Sequence, residues 1–296
     1  MSAAQLVDQF ESHRTHLLAV GYRLTGSVSD AEDAVQESWL RLAGTDPAEV
    51  RDLRGWLTTV VSRICLDRLR SAAQRRESYI GQWLPEPVVT PVASAAAPDP
   101  LESVVHHEDN RFAAMVVLDT LTAPQRVAFV LHDGFGVPFE EVAEILGVTA
   151  ASARQLASRA RRSVHTDTAA APALSQEHEQ AVERLVAALA TADLETIVAA
   201  LHPDSLVVGD AGGTTRVALN VVTGPDRVAR FFLGLQTKYG PLFETAIPVM
   251  VNGMLGLLIP ETPDRPRHVL GFLVREGKVA GIYDVANPAK LTGIRL

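Results

Sequence analysis

Four arginines, Arg154, Arg159, Arg161 and Arg162, fall in a stretch from Ala150 to Val164 that holds no acidic residue. Guanidinium groups gathered on one helix suit the recognition of phosphates and base edges through charge-assisted hydrogen bonds. The elements that must position them lie within Val137–Arg162. Phe139, Val142, Ile145 and Leu146 have helical spacing and form one apolar face. Gly147 supplies a left-handed turn at the end of that helix. Thr149 then caps a second helix through its hydroxyl. The first helix is acidic (Glu140, Glu141, Glu144) and the second basic. This pattern predicts a helix-turn-helix whose second helix lies in the major groove with its first turns at the base edges. A plain helical hairpin with a solvated charged face is the other reading of the same spacing.

A second basic helix is predicted over 51–76. Leu53, Leu57, Val60, Val61, Ile64 and Leu69 make its apolar face, and Arg51, Arg54, Arg63, Arg68, Arg70, Arg75 and Arg76 outnumber Asp52 and Asp67. With Trp56 near its start, such a helix can bind a nucleic-acid backbone and stack an unpaired base. Core packing for Trp56 and a solvated face for the arginines stay open beside that reading. Ahead of it, Ser29 and Glu32 are spaced as a capping box, so a helix is expected from Asp30, after a loop over Thr25–Val28. It buries Val35, Trp39 and Leu42, and its other face carries Asp30, Glu32, Asp33, Gln36 and Glu37. Acids this early also suit the helix dipole. An amphipathic helix over 3–24, with Leu6, Phe10, Leu17, Val20 and Leu24 in one stripe and His13 beside it, begins the chain.

The net charge of −8 does not mark the whole chain as a nucleic-acid binder, so the basic helices must act locally. Residues 77–104 form a Pro/Ala-rich linker in which Pro85, Pro87, Pro91, Pro98 and Pro100 argue against regular structure. Trp83-Leu84-Pro85-Glu86-Pro87 stands out there, because a tryptophan in such a segment needs something to pack against. Phe112, Val116, Leu118 and Leu121 return to helical spacing, and Thr122 with Pro124 opens a further helix. After a small-residue linker over 166–174, helices are expected at 175–191, 193–201 and 226–238. Strands are expected at Leu206–Val208, Val217–Val222, Ala246–Val251, Leu255–Ile259, Val269–Val274 and Val279–Val285. Helices followed by antiparallel strands predict a separate α+β domain over 175–296. The single cysteine, Cys65, reads as a small buried apolar residue. No metal site is expected, and His106-His107-Glu108-Asp109 reads as a solvated helix start. No run of eighteen apolar residues and no secretory leader pattern appears, so a cytoplasmic protein is expected.

The segments Ser29–Glu37, Asp52-Leu53-Arg54-Gly55-Trp56-Leu57, Leu121-Thr122-Ala123-Pro124-Gln125-Arg126 and Gly147-Val148-Thr149, in that order, resemble the landmarks of RNA polymerase sigma factors of the extracytoplasmic-function class. The resemblance covers about residues 6–76 and 105–165. The Trp83–Pro87 linker motif and the last domain are similar to a subgroup with a C-terminal SnoaL-like (NTF2-like) extension. In it an Asp-Gly-Gly-Gly-Lys and an Asn-Pro-Asp-Lys-Leu motif recur. Here they appear as Asp210-Ala211-Gly212-Gly213-Thr214, lacking one glycine and the lysine, and Asn287-Pro288-Ala289-Lys290-Leu291. Leu156 with Ala157 is a further departure, at positions where many relatives place an arginine and then a leucine.

The resemblance implies a multidomain fold. Residues 1–76 and 105–165 would be two all-α helical domains, the second with the helix-turn-helix, and 175–296 an α+β cone-shaped barrel. It implies promoter recognition without catalysis or cofactor. Asp30, Glu32, Asp33, Gln36 and Glu37 would dock on the clamp of the polymerase β′ subunit, and the β flap is a further expected contact. Arg54, Trp56, Arg63, Arg68 and Arg70 would engage and open the downstream promoter element. Thr149, Ser152, Arg154 and Gln155 begin the helix that would read the upstream element, since arginine pairs bidentately with guanine and glutamine with adenine. Arg159, Arg161 and Arg162 come later and would hold phosphates. The last domain would regulate activity in cis by contacting the helical domains and Trp83, Leu84, Pro85, Glu86 and Pro87, with Asp210, Gly212, Gly213, Asn287, Pro288 and Lys290 as its share. Two other readings stay open. One is a one-component DNA-binding regulator. The other is a small-molecule-binding or isomerase-like last domain, with His202, Asp204, Asp210 and Tyr239 as acid–base groups and Phe231, Phe232 and Met254 lining a pocket.

Overall fold

Helix α1 (Ala3–Thr25) buries Leu17, Val20 and Leu24 completely, so the predicted stripe is its core face. In the computed structural model, which describes residues 3–46, 50–76, 79, 81–92, 111–167, 175–213 and 217–294, it packs on α2 (Val28–Ala43) and α3 (Leu53–Arg76). A methyl on Gly21 would come within 3.0 Å of the Ala31 Cβ, so the missing side chain lets α1 and α2 close up. The predicted cap of α2 is displaced. Ser27, not Ser29, is the N-cap, its hydroxyl accepting from the Asp30 amide at 3.2 Å. The expected loop shrinks accordingly, because Thr25 still belongs to α1 and its hydroxyl accepts from the Ser27 amide at 3.2 Å. Trp39 is only half-buried, its ring 5.1 Å from that of Phe10. Cys65 is buried, and burial pushes its thiol up to about 12, which leaves it an unreactive core residue.

The same compact unit continues through the later part of α4 (Phe112–Leu118), which it takes up at Met115, then α5 (Ala123–Phe129), a single π turn (Val130–Gly134), α6 (Phe139–Leu146) and α7 (Ala150–Asp167). Its described residues are 3–46, 50–76 and 115–167. Gln125 Oε1 accepts from the Thr122 amide at 3.1 Å, which fixes the start of α5. Arg126, one turn in, is 1% exposed. Its Nη1 donates to Asp119 at 2.7 Å and its Nε to the Arg23 carbonyl at 3.0 Å, tying α5 to the end of α1. Ala153, Ala157 and Ala160 are fully buried, so α7 meets its neighbours on a face of small side chains. Ala157 therefore serves packing.

The second unit comprises, of the described residues, 79, 81–92, 111–114, 175–213 and 217–294. Its core lies between one sheet and the helices α8 (Ser175–Thr191), α9 (Leu194–Ala200) and α10 (Pro225–Tyr239), and includes Leu185, Leu189, Ile197, Val228, Phe232 and Val279. The sheet has seven strands: β1 (Val89–Pro91), β2 (Leu201–Asp210), β3 (Val222–Thr223), β4 (Ile247–Val251), β5 (Met254–Ile259), β6 (His268–Arg275) and β7 (Lys278–Val285). Their order is β1-β4-β5-β6-β7-β2-β3. Two expectations need correction. The strands are not all antiparallel, since β2 runs parallel to β7, Val207 facing Ile282. The Pro-rich linker is not without regular structure either. It supplies β1, antiparallel to β4 with Val89 facing Val251. Pro91 ends that strand at the sheet edge, where a missing amide donor is tolerated. The expected strand over Val217–Val222 contracts to β3, and Leu201 opens β2 instead of closing a helix.

Candidate nucleic-acid and partner interfaces

Helix α2 presents Glu32, Asp33 and Gln36 to solvent, with Asp30 and Glu37 half-buried. Two of the acids are shared with α3: Arg68 Nη1 lies 2.7 Å from Asp30 and 3.3 Å from Asp33. The Arg68 pKa is raised overall; burial opposes this, but the hydrogen bonds and charges of the two carboxylates outweigh it. Arg68 is thus a strut between helices, and Glu32 and Gln36 are exposed groups with no ion pair among the described residues. Glu37 pairs with Arg41 at 2.5 Å along its own helix.

Helix α3 begins where Gly55 leaves room for the Asp52 side chain, whose Oδ2 would be 2.6 Å from any Cβ there. Arg54 Nη2 donates to His16 Nδ1 at 3.3 Å, and His16 Nε2 in turn sits 3.0 Å from the Thr58 hydroxyl. Since Arg54 can only donate, the proton of the neutral ring is on Nε2. Burial first, then Arg54 and His13, lowers the His16 pKa to about 4, in keeping with that neutral ring. Trp56 is half-buried beside this cluster's sequence, while Arg63 and Arg70 are exposed, Arg70 with a loose 3.7 Å contact to Asp67.

The helix-turn-helix forms as its sequence dictates. Gly147 adopts φ 69 and ψ 37, the left-handed conformation that only glycine takes cheaply. Thr149 Oγ1 accepts from the Ser152 amide at 3.2 Å, and the two hydroxyls are 2.9 Å apart. Gln155 and Arg159 are exposed on α7. Arginines predicted to meet nucleic acid are also engaged within the unit. Arg154 Nη2 bonds Glu140 at 2.8 Å above the Phe139 ring, and Arg161 Nε bonds Asp133 at 2.7 Å. Both pairs are largely solvated, so they are weak and open to exchange for a phosphate or base. Arg162 is exposed one residue further on.

In the second unit the linker and the two terminal motifs converge on Asp210, which is 0% exposed. Its Oδ1 accepts from the Tyr79 hydroxyl at 2.5 Å and from the Gly212 amide at 3.1 Å. Its Oδ2 accepts from the Leu84 amide at 2.8 Å and from Lys290 Nζ at 2.6 Å. Lys290 also donates to the Leu84 carbonyl and lies 3.9 Å from the Trp83 ring centroid. Asn287 Nδ2 reaches the Tyr79 hydroxyl at 2.9 Å, while its Oδ1 caps the short turn begun by Pro288. Burial, then the Asp210 bond and charge, raise the Tyr79 pKa, so this hydroxyl stays a donor. Gly212 at φ 60 has the Asn287 amide 2.6 Å from where a Cβ would be, so glycine is needed twice over. Gly213 follows at φ 73. Leu84, Pro85 and Pro87 are buried, and Trp83 and Glu86 half-buried. Sequence reasoning missed Tyr79 and Asn252. Asn252, also fully buried, accepts from the Val88 amide at 3.0 Å and donates to its carbonyl at 2.8 Å, extending the linker's hold toward β1.

The acid–base candidates of the last domain do not all come together. His202 lies about 4 Å from the exposed Asp204 and Glu276, and Asp210 is committed to the linker. Phe231, Phe232 and Tyr239 do line a cavity of about 400 Å³, but Met254 does not. The polar groups on that cavity are others, Arg265, His268 and Asp284. His106 and His107 lie outside the described residues, and among the described residues no cluster of His, Cys, Asp and Glu could hold a metal. No described helix is long and apolar enough to cross a membrane.

The family "Sigma-70 region 2" matches residues 9–76, and "Sigma-70, region 4" matches residues 111–164. The chain is 53% identical to the ECF RNA polymerase sigma factor SigJ of Mycobacterium tuberculosis, over 97% of this chain and 93% of that protein. It is 31% identical to the probable ECF RNA polymerase sigma factor SigI of the same species, over 97% of this chain and 94% of the relative. The crystal structure of Mycobacterium tuberculosis SigJ superposes with a TM-score of 0.84, at 52% identity, covering 98% of this chain and 99% of that one. The two helical regions with their sigma matches, and the full-length identity that runs on through the α+β unit, make this chain a member of the extracytoplasmic-function RNA polymerase sigma factors.

Proposed function

We propose that this sigma factor, whose family binds core RNA polymerase and directs promoter recognition, is governed in cis by its own C-terminal unit through the linker that the unit holds. The observation that carries the regulatory part is the Asp210–Lys290–Tyr79 clasp on Trp83-Leu84. This linker joins the polymerase- and promoter-binding segments in sequence, so fixing it restricts how far they can separate. A tether of this length keeps the holding unit at high local concentration. The acid face of α2, chiefly Glu32 and Gln36, docks on the β′ clamp, with the β flap a second contact. Arg54, Trp56, Arg63 and Arg70 engage the opened downstream element, and Arg68 holds α3 to α2. Ser152, Arg154 and Gln155 read the upstream element, and Arg159, Arg161 and Arg162 hold its phosphates. The activity is selection of promoters and not catalysis. His202 and Asp204 lie beside each other away from the cavity that Tyr239 lines, and Asp210 is held in the clasp, so the four do not gather at one point, which favours that reading. The site of action is the cytoplasm, where core polymerase works.

The test is run-off transcription with core polymerase on a promoter library, comparing the full chain with an Asp210→Asn/Lys290→Met double variant. Promoter-specific transcripts from both, with yield or promoter preference changed several-fold in the variant, are expected. Identical output would end the regulatory reading.

A further inference from the structure

The cavity of the C-terminal unit combines an apolar body with a small set of charged groups at one side. Phe231, Phe232, Leu235 and Phe243 furnish apolar wall, and Ile259 and Leu270 come from the sheet. A volume of about 400 Å³ is within the range of pockets that enclose small organic ligands. The charged groups decide what kind of ligand fits. His268 Nδ1 donates to Asp284 Oδ1 at 2.8 Å, both side chains little exposed, so these two form a pair whose charges offset each other. That hydrogen bond fixes the ring and leaves Nε2 without a protein partner among the described residues. Lys238 and Arg265 then face one further carboxylate in the lining, Asp264, which is exposed. The balance is one positive charge in excess.

Arg265 is the group with unmet capacity. Its Nη2 donates to the Pro260 carbonyl at 3.1 Å, its Nε is buried without an acceptor, and it makes no ion pair among the described residues. Partial burial, which covers its Nε, pulls its pKa down, with no counter-charge paired to it among the described residues. A guanidinium in that condition gains most from a bidentate carboxylate, whose two oxygens match its fork. The loop holding Arg265 is pinned by paired backbone bonds between Thr262 and Arg265, at 2.8 and 3.2 Å, so the group is set in place before a ligand arrives.

We propose that this cavity binds an amphipathic carboxylate, an aromatic body lodged among Phe231, Phe232 and Phe243 with its acid group on Arg265 and a further bond from His268 Nε2. Isothermal titration calorimetry of the full chain with 2-naphthoate, 2-naphthamide and 2-(aminomethyl)naphthalene tests it. Saturable one-to-one binding of the acid is expected, at least tenfold tighter than the amide and tighter still than the amine. Arg265→Gln should cost the acid at least tenfold and leave the amide within threefold. Leu235→Trp, which fills the apolar end, should abolish binding of both, with circular dichroism showing that each variant folds. Absence of saturable naphthoate binding would overturn the proposal. So would equal affinity for acid, amide and amine, or an Arg265→Gln chain that binds naphthoate as the parent does.

Discussion

In the first unit the charges of α2 and α7 reach solvent and pair at or near the surface, as Glu37–Arg41 and Arg154–Glu140 do, with Arg68–Asp30 more sheltered. In the second, Asp210 is wholly buried and its oxygens accept from the linker at Tyr79 and Leu84 and from the unit's own Gly212 and Lys290. The same residue types thus do different work. Exposed charges are cheap to hold and easy to exchange, which suits contact with separate partners. A buried carboxylate is costly unless all its partners are present, which suits a fixed join between distant parts of one chain.

The largest effect should come from unpairing the clasp. Lys290→Met leaves the Asp210 carboxylate buried without its cation, and should cost about 3–5 kcal/mol in denaturant unfolding of the full chain. It should also speed hydrogen exchange at the Leu84 and Val88 amides. The first unit has one feature of the same kind, Arg126 with Asp119, at 2% and 11% side-chain exposure. Arg126→Met should therefore cost a similar amount, about 3–5 kcal/mol, and loosen α5 from α1. If either change costs under about 1 kcal/mol, the range of an ordinary surface pair, the contrast between buried and exposed charge fails. On the α2 face the pattern should reverse. Glu32→Lys should alter stability by less than about 0.5 kcal/mol and weaken core polymerase binding roughly tenfold, about 1.4 kcal/mol, with a steep salt dependence.

Acidity should act more gently, through three histidines. His16 has its pKa depressed to about 4, so its contribution to stability is complete above the ordinary value of 6.5 and is lost as pH falls toward 4. His268 runs the other way. Burial opposes its charge, but Asp284 prevails and the pKa is raised, so its contribution is complete below 6.5 and lost as pH rises through the folded value. His178, buried against the Leu255 carbonyl, is lowered by that burial and follows the sense of His16. Imidazole chemical shifts followed by NMR should titrate near 4 for His16 and above 6.5 for His268. The smallest effect is expected from Glu140→Gln, which frees Arg154. Its cost to stability should be below about 0.5 kcal/mol, with a slight gain in upstream-element affinity by fluorescence anisotropy.

What could be read from sequence was local. The turn at Gly147, the cap at Thr149 and the core stripes of α1 and α3 each depend on residues within a few positions of each other. The cap at Ser27 was misplaced because Ser27 and Ser29 both lie within the same turn, and which one is extended depends on where Thr25 ends α1. The strand made by Val89–Pro91 was hidden for the opposite reason. Its partner is β4, and the bond of Val88 to Asn252 spans 164 positions. The Asp210 and Asn287 motifs were visible as resemblances, but Tyr79, which joins them, carried no motif of its own. The His268–Asp284 pair likewise arises only from the register of β6 on β7, where Leu270 faces Asp284.

The measurement that bears most directly on the account is the affinity of the full chain for core polymerase, by surface plasmon resonance, for the parent, Glu32→Lys and the Asp210→Asn/Lys290→Met chain. An exposed docking face and a self-directed clasp predict a roughly tenfold loss for Glu32→Lys, about 1.4 kcal/mol, and binding within about twofold of the parent for the clasp variant, about 0.4 kcal/mol. A clasp variant that loses core binding while Glu32→Lys keeps it would contradict the account.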